Sequence, residues 1–73
     1  MSVVKVSRGR CLLQYWIDLR GTSQAEVARR SGYSPRMVSF YCSGDKPMSV
    51  DAMYIISKIL DIHMEELYEW VLK

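Results

Sequence analysis

A single histidine and two cysteines are all the imidazole and thiolate ligands that this chain could offer a zinc ion. Cys11 and Cys42 stand far apart, form no CxxC pair and have only His63 to help them, so neither a zinc pattern nor a disulfide scaffold is expected. The four glycines do not cluster into a phosphate-binding loop, and there is no HExxH and no calcium loop. Ser, Cys and His occur, but no spacing brings a nucleophile to a base, and no pair of carboxylates is set across a pocket. Catalytic residues, metal ligands and cofactors are therefore expected to be none. No run of apolar residues reaches the length of a membrane span, and the N-terminus lacks the apolar core of a signal peptide. A cytoplasmic protein with buried or half-buried free thiols is expected.

What is present fits a small folded domain. Seventy-three residues allow one modest core, and 49% apolar with 25% charged residues is ordinary for a soluble fold. The net charge of +2 says less than its distribution. Lys5, Arg8, Arg10, Arg20, Arg29, Arg30, Arg36 and Lys46 fall in residues 1–46 against three acids; residues 47–73 hold two basic residues against five acids. One end of the molecule should attract a polyanion and the other should not.

The chain divides into an N-terminal arm over residues 1–8 and a helical domain over 9–73 that closes on a C-terminal helix. The arm is either frayed or a short strand made of Val3, Val4 and Val6. Helix one is expected over 9–20, with Leu12, Leu13, Trp16, Ile17 and Leu19 forming an apolar face. Ser23, three residues before Glu26, has the spacing of a capping box and opens a second helix. Gly32 marks a turn, and Ser34 followed by Pro35 opens a third helix that stops at Gly44. Ser49 caps a fourth helix over about 50–60, with Val50, Met53, Ile56 and Leu60 at helical spacing. A fifth is expected over about 64–72. The fold class is thus all-α, a compact bundle of four to five helices containing a helix-turn-helix.

The stretch Ser23-Gln24-Ala25-Glu26-Val27-Ala28, then Gly32-Tyr33-Ser34, Val38-Ser39 and Gly44, resembles the helix-turn-helix of the lambda Cro/phage repressor (XRE) family. Leu60-Asp61-Ile62-His63-Met64-Glu65-Glu66-Leu67 is similar to that family's closing segment, and the resemblance covers roughly residues 9 to 69. It departs from the family pattern at Pro35, where relatives often carry a polar base reader, and at Met48, where they more often carry proline.

The resemblance implies double-stranded DNA as partner, with the third helix in the major groove and Arg36, Ser39 and Phe40 at the base-reading positions. Arg36 has the fork to bond guanine O6 and N7 in parallel. Phe40 has two readings: it packs against a thymine methyl, or it folds under the fourth helix as core. Gln24 stands where the family's glutamine bonds a phosphate. Ser43, Lys46, Arg8, Arg10 and Arg29 are further phosphate-contacting candidates, although Arg29 also favours the end of its own helix. Tyr68, Trp70, Val71 and Leu72 exceed what a nine-residue helix can hide and are the candidate dimer interface.

The expected function is a sequence-specific DNA-binding transcriptional regulator, a repressor acting as a homodimer on a palindromic operator, of the kind used by phages or mobile elements. Two alternatives stay open. One is a protein-interaction module, an antirepressor or antitoxin that grips its partner through the C-terminal helix; the other is a non-specific architectural DNA binder.

Overall fold

Three serines set the positions of three helices. In the computed structural model, which describes residues 5–72, each serine side chain accepts the amide proton three residues on: Ser23 from Glu26 at 3.1 Å, Ser34 from Met37 at 3.1 Å, and Ser49 from Ala52 at 3.1 Å. A cap of this kind stabilises a helix by about 1 kcal/mol. In chain order the elements are β1 (Val6–Cys11), α1 (Leu13–Leu19), α2 (Gln24–Ser31), α3 (Pro35–Ser43), α4 (Val50–Leu60), a 3-10 turn (Met64–Leu67) and β2 (Tyr68–Leu72). Gly32 and Gly44 close α2 and α3, each with φ of 84°. Asp61 closes α4 in the same left-handed region, with φ of 56° and no help from a glycine.

The ends of the chain depart from the all-α expectation. Helix one begins at Leu13 and not near residue 9, because Val6–Cys11 is extended and pairs with β2. Nothing before Leu13 caps a helix by its side chain; the Leu12 amide instead bonds the Leu67 carbonyl at 2.8 Å. The expected fifth helix is a single 3-10 turn followed by a strand. Tyr68, Trp70 and Val71 are poor helix formers and good strand formers, and a paired strand satisfies backbone groups that so short a helix would leave open. Val3 and Val4 lie outside the described residues; the strand assigned to β1 starts at Val6.

The two strands are antiparallel, with Val6 opposite Leu72, Ser7 opposite Val71 and Arg8 opposite Trp70, but Cys11 opposite Tyr68. That register places one extra residue on β1, a bulge at Gly9–Arg10 facing Glu69. Gly9 fits there with little room to spare. A Cβ on it would stand 3.0 Å from the Glu69 carbonyl oxygen and 3.1 Å from the Glu69 Cβ.

The core forms where the four helices meet the 3-10 turn. Leu13 and Ile17 of α1, Val27 and Ala28 of α2, Val38 and Tyr41 of α3, and Ile56 and Leu60 of α4 are buried around Leu67. Trp16 is half-buried, its indole N–H donating to the Glu66 carbonyl at 2.7 Å. Leu19 and Val50, expected on buried faces, are exposed. Arg20 joins the far ends of α1 and α4, its Nε donating to the Leu60 carbonyl at 2.8 Å and its Nη2 to that of Asp61 at 3.2 Å. Among the described residues no helix is long and apolar enough to cross a membrane.

Candidate nucleic-acid interface

α2 and α3 are packed through small and branched side chains. Ala28 is buried against the third helix, and Val38 is fully buried beneath the second. The turn between them is fixed by the Gly32 amide bonding the Ala28 carbonyl at 3.0 Å and the Tyr33 amide bonding the Ser31 hydroxyl at 3.2 Å. Tyr33 and Tyr41 meet edge to face, ring centroids 6.1 Å apart. This hinge has few ways to move.

With Val38 and Tyr41 turned inward, the 3.6-residue period puts Arg36, Ser39, Phe40 and Ser43 on the outer side of α3. Arg36, Ser39 and Ser43 are exposed and Phe40 is half-buried. Phe40 does not belong to the core cluster or to the apolar groups packed on it. Its ring lies 5.6 Å from the Arg36 guanidinium carbon and 5.2 Å from the Lys46 ammonium. Of the two readings of Phe40, burial under the fourth helix does not hold, and the outward ring is flanked by two cations.

The basic residues fall into two groups by what holds them. Arg8 and Arg10 lie on β1 and not at a helix start. The Arg8 guanidinium donates to the Met48 carbonyl at 2.9 Å and stacks 4.9 Å from the Tyr68 ring, which ties it to the fold. Arg10 pairs with Glu69 at 3.3 Å. Arg29, placed by its charge at a phosphate, makes a two-pronged pair with Glu26, one prong at 3.0 Å. That pair holds the Glu26 carboxyl below its usual range, chiefly by the Arg29 hydrogen bond. It also diverts Glu26 from the capping box, of which only the Ser23 half forms. Arg36 and Lys46, in contrast, have no carboxylate partner among the described residues.

The other polar candidates are partly committed. Gln24 donates from Nε2 to the Gln14 Oε1 at 2.6 Å, and Gln14 in turn donates to Asp18 at 2.8 Å; a second Gln24 amide proton remains. Ser43 gives its one proton to the Phe40 carbonyl at 3.1 Å and accepts from the Asp45 amide at 3.3 Å. In this arrangement it shapes the turn after α3.

The loop that carries Lys46 is held from behind. Buried Met48 donates its amide proton to the Tyr68 hydroxyl at 2.9 Å, while its carbonyl receives Arg8. Tyr68, grouped by sequence with the dimer residues, is buried and belongs to this clasp. Trp70, Val71 and Leu72 are exposed on β2, with Trp70 Nε1 bonded to the Glu65 carbonyl at 2.6 Å. Sequence reasoning missed Met48 and Tyr68 as positioning residues. The aromatic and β-branched residues after Leu67 were the one available signal for the strand that brings them together.

Both thiols are free and half-buried. Burial pushes Cys11 above its ordinary value and Cys42 up to about 11. Neither is poised as a nucleophile. Among the described residues no group of three or more metal-ligating side chains occurs.

No curated protein matches the chain. The helix-turn-helix family model matches residues 13–67, from the first residue of α1 to the last of the 3-10 turn. On that match, which spans most of its length, the chain belongs to the XRE-type helix-turn-helix family that includes lambda Cro.

Proposed function

We propose that this protein is a transcriptional repressor that binds a palindromic operator as a homodimer, with α3 in the major groove. Domains of its family are non-catalytic DNA-binding modules, and a DNA-binding regulatory role follows from membership. One observation supports the finer reading most. The outer face of α3 presents Arg36, and the loop after it Lys46, both without carboxylate partners among the described residues, on a helix whose start, stop and inner face are all fixed. Arg36 is the base reader, with its fork suited to guanine, and Ser39 a weaker one. Gln24 and Lys46 hold phosphates on the two sides of the groove.

One such module covers only a few base pairs, so a useful site needs two, about 34–36 Å apart. The exposed Trp70, Val71 and Leu72 are the surface for that pairing. The test is selection of binders from a random duplex pool, run with wild type and Arg36→Ala. An inverted repeat enriched by wild type and relaxed in the mutant is expected. Binding with no enriched motif would leave an architectural protein, and no binding at low salt would move the search to protein partners.

A further inference from the structure

The chain has one phenylalanine, and it is placed on the outer face of α3 with two cations around it. Arg36 lies one helical turn before Phe40, so their side chains share a face. Lys46 reaches the same ring because the chain folds back after Gly44. Its amide donates to the Phe40 carbonyl at 3.3 Å, the oxygen that also receives Ser43. Both charges sit inside the range of about 6 Å in which a ring quadrupole attracts a cation.

Among the described residues neither cation is neutralised by a carboxylate, and bringing two like charges to one ring costs repulsion that a polyanion relieves. The ring faces cations where a base reader would face a thymine methyl. We infer that Phe40 is a positioning residue, which fixes the Arg36 fork and the Lys46 ammonium relative to each other so that base contact and phosphate contact are made together. The inference rests on the DNA reading proposed above.

Phe40→Leu keeps the bulk and removes the quadrupole; Phe40→Tyr keeps both. The leucine variant is expected to bind the selected duplex about two- to fivefold more weakly for each cation released, and the tyrosine variant to bind like wild type. The effects of Arg36→Ala and Lys46→Ala are non-additive with Phe40 present and become additive with leucine there. In the DNA-free protein, NMR is expected to show ring-current shifts at the Arg36 and Lys46 methylenes that vanish in Phe40→Leu. Three results would overturn the inference. Unshifted methylenes refute the geometry without reference to DNA. A wild type that loses affinity when the site's thymines become uracils, beside an indifferent leucine variant, makes Phe40 a methyl reader. Shifted methylenes in a protein that binds no duplex remove the DNA reading, and the purpose of the clamp with it.

Discussion

The Met48 amide donates to the Tyr68 hydroxyl at 2.9 Å, so the last strand of the chain holds the loop that follows the third helix. Both residues are buried, and no water replaces the bond easily. Tyr68→Phe removes the acceptor and leaves the ring, so the Met48 N–H loses its partner at a cost of about 1–3 kcal/mol. For a domain of this size that lowers Tm by about 4–8 °C per kcal/mol. Arg8→Ala, which frees the Met48 carbonyl at a wetter place, is expected to cost less. Thermal unfolding followed by circular dichroism reads both. A Tyr68→Phe protein melting with wild type would show that the clasp does not hold the loop.

The bulge opposite Glu69 makes a second, sharper demand. Gly9→Ala places a methyl 3.0 Å from a backbone oxygen, which cannot move as a side-chain tip can. The expected loss is about 1–3 kcal/mol, the usual cost of overpacking. It should be local. Amide exchange in β1 and β2 rises in this variant while α2 and α3 stay protected. Gly21→Ala is the control: nothing crowds its Cβ, but its φ of 69° carries a left-handed penalty of about 1–2 kcal/mol, and its loss does not favour the strands.

The contrast between these ends and the middle of the chain explains what the sequence disclosed. Ser23, Ser34, Ser49, Pro35, Gly32 and Gly44 act on neighbours within four residues, so helices α2 to α4 could be placed from composition alone. The β1–β2 pairing joins residues about sixty apart, and nothing local in Val6–Cys11 records it. Tyr68-Glu69-Trp70-Val71 is too short for its period to choose between helix and strand. In the candidate site the same division holds. The outward face of α3 follows from helical spacing, whereas the partners that occupy Arg8, Arg29 and Ser43 depend on how distant or competing groups settle. Charge alone made Arg8 and Arg29 resemble Arg36 and Lys46.

That sorting of cations separates their expected effects on DNA. Arg36→Ala should cost about 1–3 kcal/mol of discrimination at one base position. Lys46→Ala should weaken every duplex nearly alike and reduce the slope of log affinity against log salt by about 1. Arg29→Ala should change neither much, because Glu26 already balances that charge. Titrations of a selected and a scrambled duplex at three salt concentrations separate the three. An Arg29→Ala protein with the Lys46→Ala phenotype would mean that the Glu26 pair opens on DNA.

Cys42 gives the fold an alkaline limit. Its thiol ionises near 9.0 in an unfolded chain but is pushed up to about 11 in the native one, first by burial and then by nearby Cys11 and Asp18. Between those values the unfolded state binds fewer protons than the native state, so stability falls as pH rises. The contribution is complete below pH 9.0 and is lost toward about 11. Cys11 and Tyr41 are raised in the same direction, so wild type alone does not isolate the effect. Cys42→Ala does. Its Tm starts lower, from the lost packing, but should fall less steeply than that of wild type over this range. Parallel slopes would show that Cys42 stays protonated in both states or ionises equally in both, and the native thiol would then alkylate at pH 8 as fast as the unfolded one.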